Sequence, residues 1–351
     1  MGDFDSWSGE MKVKPLKKAC IKKDILRLLK QDFPDFISGE KMSGKFGISR
    51  AGLWKHIEAL RKEGYVVESF PRKGYRLESS PERLTDIDIQ GTIKTRVIGR
   101  GEIHCFDVTE STNALACSLA SEGAPEGTVV TAESQTKGRG RLGRPWESPP
   151  GGLYFSVILR PEMRIEEISA MTLVAASAIV NAISEISSAK TGIKWPNDIF
   201  IGDKKVCGIL AETMGQMDRT DFLVIGVGIN VNTEREKLPE EATSMKAETG
   251  ETVNRIEFLC LILENLERYY DIFRSKGFSV FREEVKRMSN ALGNEVSVET
   301  NRNTVFGIAV DIDGMGALIV RDHEGKTHSI HSGDVILPKK SGINEVGKNE
   351  K

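Results

Sequence analysis

The chain has 351 residues, 39% hydrophobic and 28% charged, with a formal net charge of −2. This is the composition of an ordinary globular protein of two or three domains; collagen, a continuous coiled coil and disorder throughout are excluded. With no apolar run of about 18 residues and no charged-then-apolar leader, neither a membrane span nor a secretory signal is expected, and the cytoplasm is the expected location.

Charge and cysteines refine this. Residues 1–80 hold 17 Lys+Arg against 11 Asp+Glu, whereas the remainder holds 32 against 40. A basic head on an acidic body is the split expected when one part meets phosphate and the rest does not, although a merely soluble basic head has the same arithmetic. Cys20, Cys105, Cys117, Cys207 and Cys260 are scattered without a C-x-x-C pair. They read as reduced thiols rather than a disulfide frame or zinc site.

Residues 1–16 read as a flexible tail. From Lys17 to Lys30, Ile21, Ile25, Leu28 and Leu29 recur at helical spacing. Ser38 caps a second, short helix ending near Gly44, and Ser49 caps a third whose buried stripe is Leu53, Ile57 and Leu60. Arg50, Trp54, Lys55 and Arg61 are left on its other faces. Tyr65–Phe70 and Tyr75–Leu77 then form a hairpin with a basic tip, Pro71-Arg72-Lys73-Gly74. Residues 17–79 thus have the layout of a winged helix-turn-helix, in which a helix N-terminus enters the major groove and wing cations meet phosphate. Ser49, Arg50, Trp54, Lys55, Arg72 and Lys73 are the candidate DNA contacts. A winged helix used only for protein contacts is the alternative.

Ser79-Ser80-Pro81-Glu82 marks a boundary. Residues 80–287 then mix strands (Ile103–Val108, Thr128–Glu133, Leu153–Leu159, Ile193–Lys194, Val206–Glu212, Phe222–Ile229) with helices (Ser111–Ser121, Glu166–Ile186, Arg255–Lys276), a central α/β domain. Leu153–Ile158 is taken as an exposed edge strand. Residues 288–338 read as short strands with glycine turns, a small β-barrel, and 339–351 as a second flexible tail. The fold class is α+β.

Four segments carry chemistry. Gly138-Arg139-Gly140-Arg141-Leu142-Gly143-Arg144-Pro145-Trp146 contains G-x-G-x-x-G, but Pro145, Pro149 and Pro150 leave no helix for a dinucleotide fingerprint, and no Walker lysine follows. Three guanidinium forks on a glycine-rich loop suit a carboxylate plus phosphates; an exposed basic loop is the alternative. Lys194-Trp195-Pro196-Asn197-Asp198 places a cation at a strand's carboxyl edge, or is a surface turn with a stacked Trp. Gly226-Val227-Gly228-Ile229-Asn230 strips side chains from one strand face, for a ligand or for tight packing; Asn230 is placed to read an adenine or meet phosphate. Glu110-Ser111-Thr112-Asn113 caps a helix, with hydroxyls that count as ligand groups only in company. The five histidines suggest no triad or metal cluster.

In this order and spacing, these segments resemble biotin–protein ligase. Ser49-Arg50-Ala51 with Arg72-Lys73-Gly74-Tyr75 resembles the winged helix of its two-function form, the biotin operon repressor, and Asp311–Leu318 resembles its SH3-like end domain. The resemblance covers residues of about 17 to 338 and implies a central mixed-sheet, class II synthetase-like domain. It also implies an ATP-dependent ligase that forms biotinyl-5′-AMP and passes biotin to a lysine of a biotin carboxyl carrier protein. Repression of biotin genes as a ligand-promoted homodimer on operator DNA is implied as well. Lys194, Arg139 and Arg141 would be catalytic. Biotin would meet Ser111, Thr112, Asn113, Gln135, Arg139, Gly140, Arg141, Lys194 and Gly226. ATP, with magnesium whose ligands are unassigned, would meet Arg141, Arg144, Trp146, Lys194, Asn197 and Asn230. Two departures stand out. Pro338 then Lys339 replace the arginine that usually follows the last barrel strand, and Trp54 is bulky for a recognition helix. The rivals are a lipoate or octanoate ligase, and a DNA-binding biotin sensor without ligation.

Overall fold

A computed structural model describes residues 18–337, apart from 165–166, 217–218 and 301–302. The expected tails, Pro338, Lys339 and the expected helix start at Glu166 lie outside the described residues. The chain divides between Glu82 and Arg83 into two compact units.

The first unit runs α1 (Lys18–Gln31), α2 (Gly39–Phe46), α3 (Arg50–Lys62), β1 (Val66–Phe70) and β2 (Gly74–Ser79). The caps are those expected: Ser38 Oγ accepts from the Lys41 amide and Ser49 Oγ from the Gly52 amide. Helix α2 runs past Gly44 to Phe46 and stops where Gly47 turns left-handed at φ 61°. Ile25, Leu28, Leu29, Met42, Leu53, Ile57 and Leu60 close the core under the β1–β2 hairpin, joined by Val67 and Leu77. Each is nearly solvent-free, so the helical spacing and the burial agree.

The second unit begins with α4 (Asp86–Thr92), β3 (Ile103–Thr109), α5 (Thr112–Ser121), β4 (Val129–Gln135), β5 (Leu153–Leu159) and α6 (Ile168–Ile186). It continues with β6 (Thr191–Lys194), β7 (Asp198–Ile201), β8 (Lys204–Gln216), β9 (Arg219–Ile229), α7 (Met245–Thr249), α8 (Arg255–Lys276) and α9 (Arg282–Met288). Among the described residues, seven strands form one mixed sheet in the order β3-β4-β5-β9-β8-β7-β6, in which β3 and β4 run parallel and the other neighbours antiparallel. Helices α6 and α8 share the core of one face, while α5 covers the other with Ala116 and Ala120 over Val130, Ile158 and Val224.

The sheet order corrects the expected edge. Strand β5 lies between β4 and β9, with all seven residues buried; the edges are β3 and β6. Its unbroken run Leu-Tyr-Phe-Ser-Val-Ile-Leu lacks the alternation of a half-exposed strand and belongs to one covered on both faces. Helix α6 alone among the described helices has the length and apolarity of a membrane span, at mean hydropathy 1.5, yet it is mostly buried as the core helix of this unit.

The last described strands, β10 (Glu295–Glu299), β11 (Thr304–Ile312), β12 (Leu318–Arg321), β13 (Thr327–Ile330) and β14 (Asp334–Ile336), form one antiparallel sheet in the order β13-β12-β11-β10-β14. Val296, Val298, Leu318 and Val335 join the core that includes α6 and α8. The small sheet is therefore built onto the central domain, and its β13–β14 turn reaches the cavity described next.

Candidate active site

Backbone stripped of side chains makes the floor. On β9 the residues alternate, with Ile225, Val227 and Ile229 in the core beneath and Gly226 and Gly228 facing the other way. A Cβ on Gly226 would lie 2.2 Å from Asn113 Oδ1, and one on Gly228 would lie 2.4 Å from Trp146 Nε1. Each glycine therefore makes room for a particular side chain. Asn113 donates its amide to Glu212 while its Oδ1 is buried without a partner. The Trp146 indole lies over Gly228 and the facing Gly208, with Lys205 Nζ 5.2 Å from the ring and Nε1 also buried and unpartnered. Buried polar atoms are nearly always paired. Asn230 repeats the pattern, since its amide donates to Thr243 O at 3.0 Å and its Oδ1 has no partner.

The N-terminus of α5 makes one wall. Ser111 Oγ caps the helix at Ala114 N, 3.4 Å away. Gln135 Oε1 accepts from the Thr112 amide at 2.8 Å and lies 3.2 Å from Thr112 Oγ1, and its Nε2 donates to Ser148. Ser156, from the middle of β5, donates to Thr112 Oγ1 at 3.0 Å. The hydroxyls are thus wired to one another and to the central strand.

Cations make the rim. The loop from Gly138 pairs with itself, Trp146 N to Gly138 O and Gly140 N to Arg144 O, around a 3-10 turn in which Leu142 is left-handed at φ 56°. No helix follows, as the prolines require. Arg141 reaches Asn197 Oδ1 at 3.2 Å, and Arg144 stands 2.5 Å from Asp334. Lys194, at the end of β6, faces the Phe200 ring at 5.2 Å. Burial holds its ammonium below the ordinary lysine value, opposed by Asp198 and reinforced by Lys205. Burial likewise lowers Arg141. Lys205 pairs with Asp198 at 2.8 Å. Trp195 is not a surface residue: it is 1% exposed in the core, while Asn197 fastens the turn by donating to Ile209 O.

Together these groups enclose a cavity of about 570 Å³, and all thirteen expected ligase-site residues line it: Ser111, Thr112, Asn113, Gln135, Arg139, Gly140, Arg141, Arg144, Trp146, Lys194, Asn197, Gly226 and Asn230. Among the described residues no group of three His, Cys, Asp or Glu converges to hold a metal.

In the first unit, Trp54 is exposed at 53%, and Arg50 and Lys55 share its exposed surface at the start of α3. Arg50 makes only a loose pair with Glu40 at 3.5 Å, a contact worth little at a surface. Ser49 spends its oxygen on the cap. At the hairpin tip Arg72 is left-handed at φ 66°, and Lys73 Nζ sits 5.2 Å from the Phe70 ring. Arg61 is folded back onto Val67 O and Glu58 and braces α3 against β1.

Residues 105–230 match the biotin/lipoate A/B protein ligase family, 22–76 an HTH domain and 291–337 the biotin protein ligase C-terminal domain. The chain is 40% identical over 325 residues to the bifunctional ligase/repressor BirA of Bacillus subtilis, covering 91% of this chain and 99% of that protein. It belongs to the BirA ligase/repressor family. The BirA of Escherichia coli is 30% identical over 86% of this chain and 93% of its own. Among solved structures, a biotin protein ligase from Aquifex aeolicus, in complex with biotin and ATP, superposes with a TM-score of 0.59 at 32% identity, covering 68% of this chain and 98% of that one.

Several wall residues of this BirA-family chain escaped the sequence reading. Lys205 and Phe200 sit on the β7–β8 hairpin, which follows the Lys-Trp-Pro-Asn-Asp turn directly; the apolar run Ile199–Ile201 between two turn signals was the available cue. Asp334 comes from the far end of the chain, and nothing in its local sequence points to an arginine loop. Leu238, Pro239 and Ala242 close one side from an irregular segment.

Proposed function

We propose that this chain joins biotin to ATP as biotinyl-5′-AMP, passes biotin to a lysine of a biotin carboxyl carrier protein, and represses biotin genes through its winged helix. The observation that carries the ligase reading is the convergence of Lys194, Arg139, Arg141, Arg144 and Lys205 on one cavity whose opposite wall is neutral and hydrogen-bonding. A carboxylate and a triphosphate repel each other, so bringing them together requires neutralisation and orientation.

In this reading the Ser111–Thr112–Gln135 wall takes the ureido ring, with the orphan Asn113 Oδ1 as an acceptor for its N–H. Lys194 bridges biotin's carboxylate and the α-phosphate. The carboxylate oxygen attacks phosphorus and pyrophosphate leaves toward Arg144. Trp146 and the orphan Asn230 Oδ1 face the nucleotide end. An acceptor lysine then attacks the acyl carbon, Lys194 steadies the oxyanion, and AMP departs. Asp198 and Asp334 are already paired with cations, so magnesium would arrive with ATP, where it would offset the negative charge of the triphosphate. Closure of the arginine loop keeps water from the anhydride.

The homodimer is proposed to be promoted by bound adenylate, setting two winged helices on a palindromic operator in the cytoplasm. Of the two sheet edges, β6 is bridged by Ser289 and Asn290 at Ile193, which leaves β3 for strand pairing. Biotin-dependent exchange of labelled pyrophosphate into ATP tests the ligase reading, with lipoate run alongside. Absence of exchange with biotin, or stronger exchange with lipoate, overturns it. Sedimentation with and without biotin plus ATP tests the dimer, which an unchanged association constant refutes.

A further inference from the structure

Arg141 and Arg144 lie on the loop after β4, and besides Asn197 the groups that hold them are Ser332 and Gly333 in the β13–β14 turn and Asp334 at the start of β14. Arg141 donates to Gly333 O at 3.0 Å and Ser332 Oγ at 3.3 Å, and Nη1 lies 3.5 Å from Asp334 Oδ1. Arg144 Nη2 stands 2.5 Å from the other oxygen of the same carboxylate. One buried-side acid therefore spans both arginines across the cavity that it lines.

The turn is a firm mount. A Cβ on Gly333 would lie 2.8 Å from Glu299 O, so this backbone is pressed against β10. Around it, Trp195 Nε1 donates to Gly316 O at 2.9 Å, Arg282 to Ile312 O at 2.6 Å and Ser169 Oγ to His331 O at 3.0 Å. The small sheet cannot drift from the central domain without breaking these bonds. The arginine loop is held by its own two backbone closures, by Arg141 on Asn197, Gly333 and Ser332, and by this carboxylate, which both arginines share.

We propose that Asp334 is a clasp: it holds the arginine loop across the cavity so that the adenylate is kept for the acceptor lysine instead of being lost to water. The proposal rests on the ligase reading above and assigns the C-terminal sheet a part in retaining the intermediate. In the loss reaction water adds to the acyl carbon and the acyl–oxygen bond to phosphate breaks. AMP leaves with the electron pair, biotin is regenerated, and a proton passes to solvent. Asp334 touches none of these atoms; it is a positioning residue that acts through Arg141 and Arg144.

The test uses the full chain with biotin, ATP and a biotin carboxyl carrier protein, and reads AMP formed per carrier lysine biotinylated. Asp334→Asn is expected to raise that ratio severalfold, Asp334→Glu to restore it, and Asp322→Asn, on the same sheet outside the cavity, to leave it at the wild-type value. Without ligands, trypsin is expected to cut the 139–144 loop severalfold faster in Asp334→Asn. A ratio or cutting rate unchanged in a folded Asp334→Asn protein overturns the clasp. Should that variant fail to fold, Arg144→Gln removes the partner instead, and the same two readings decide. Wild-type protein without pyrophosphate exchange would strike down the ligase reading, whereas the trypsin comparison needs no reaction and still judges the clasp.

Discussion

Trp195 donates its indole N–H to the carbonyl of Gly316 at 2.9 Å, from a position 1% exposed. The next residue back is Lys194, the buried-side cation of the cavity. A single side chain therefore ties the Lys-Trp-Pro-Asn-Asp turn to the C-terminal sheet, and the placement of Lys194 depends on a domain distant in sequence.

Trp195→Phe keeps most of the apolar volume and leaves the Gly316 carbonyl without its donor. An unsatisfied buried group costs about 1–3 kcal/mol, so the urea midpoint is expected to fall by that equivalent. The KM for ATP is expected to rise as the sheet loosens. An unchanged midpoint would mean that the bond adds nothing net.

Gly228→Ala puts a methyl 2.4 Å from Trp146 Nε1. Because that neighbour is a ring hemmed by Lys205, the indole must move. The expected result is an ATP affinity about tenfold weaker, roughly 1.4 kcal/mol, with biotin binding nearly intact, as titration calorimetry can measure. Equal losses for both ligands would contradict the division of the cavity into two ends.

How much of this the sequence conveyed depended on distance along the chain. Ser49 and Ser111 were recognised as caps because capping is decided within three residues. Gly226 and Gly228 announced a bare strand face, but which groups fill it, Asn113 and Trp146, is set by tertiary packing. Strand β7 hid inside a turn signal because it is only four residues long. The edge expected at β5 failed because a strand's neighbours, here β4 and β9, are chosen by pairing across long stretches of chain. Asp334 was silent because an acid at a strand end is commonplace until an arginine loop is folded against it.

Lys194 has a pH signature. Burial sets its ammonium below the ordinary 10.5, and in the proposed reaction the charged form is the one that neutralises the reactants. Exchange activity should therefore fall as pH rises through this lowered value, earlier than for an ordinary lysine. Lys194→Arg, which stays charged, should move that limb upward. Lys194→Met should abolish exchange and stabilise the fold at neutral pH. The unfolded chain holds this proton more tightly, so wild-type stability climbs, and the variant's gain shrinks, between the lowered value and 10.5. A variant with wild-type exchange would remove Lys194 from the reaction.

Arg50→Ala with Lys73→Ala should weaken operator binding while leaving exchange untouched. If both cations meet phosphate, the slope of log affinity against log salt should shrink by about two. Loss of ligation in the same variant would mean that the first unit serves structure alone.

The hydrogen bond from Ser156 to Thr112 comes from the most enclosed strand of the sheet. One end of the cavity is thereby cut into the scaffold, whereas the arginine end is built on a loop fastened by side-chain contacts to Asn197, Ser332, Gly333 and Asp334. Engineering should respect that division. Recasting which acid fits requires changes beneath the sheet surface, with their cost in folding, while grafted loops can alter how long an activated acid is retained without changing which acid is chosen.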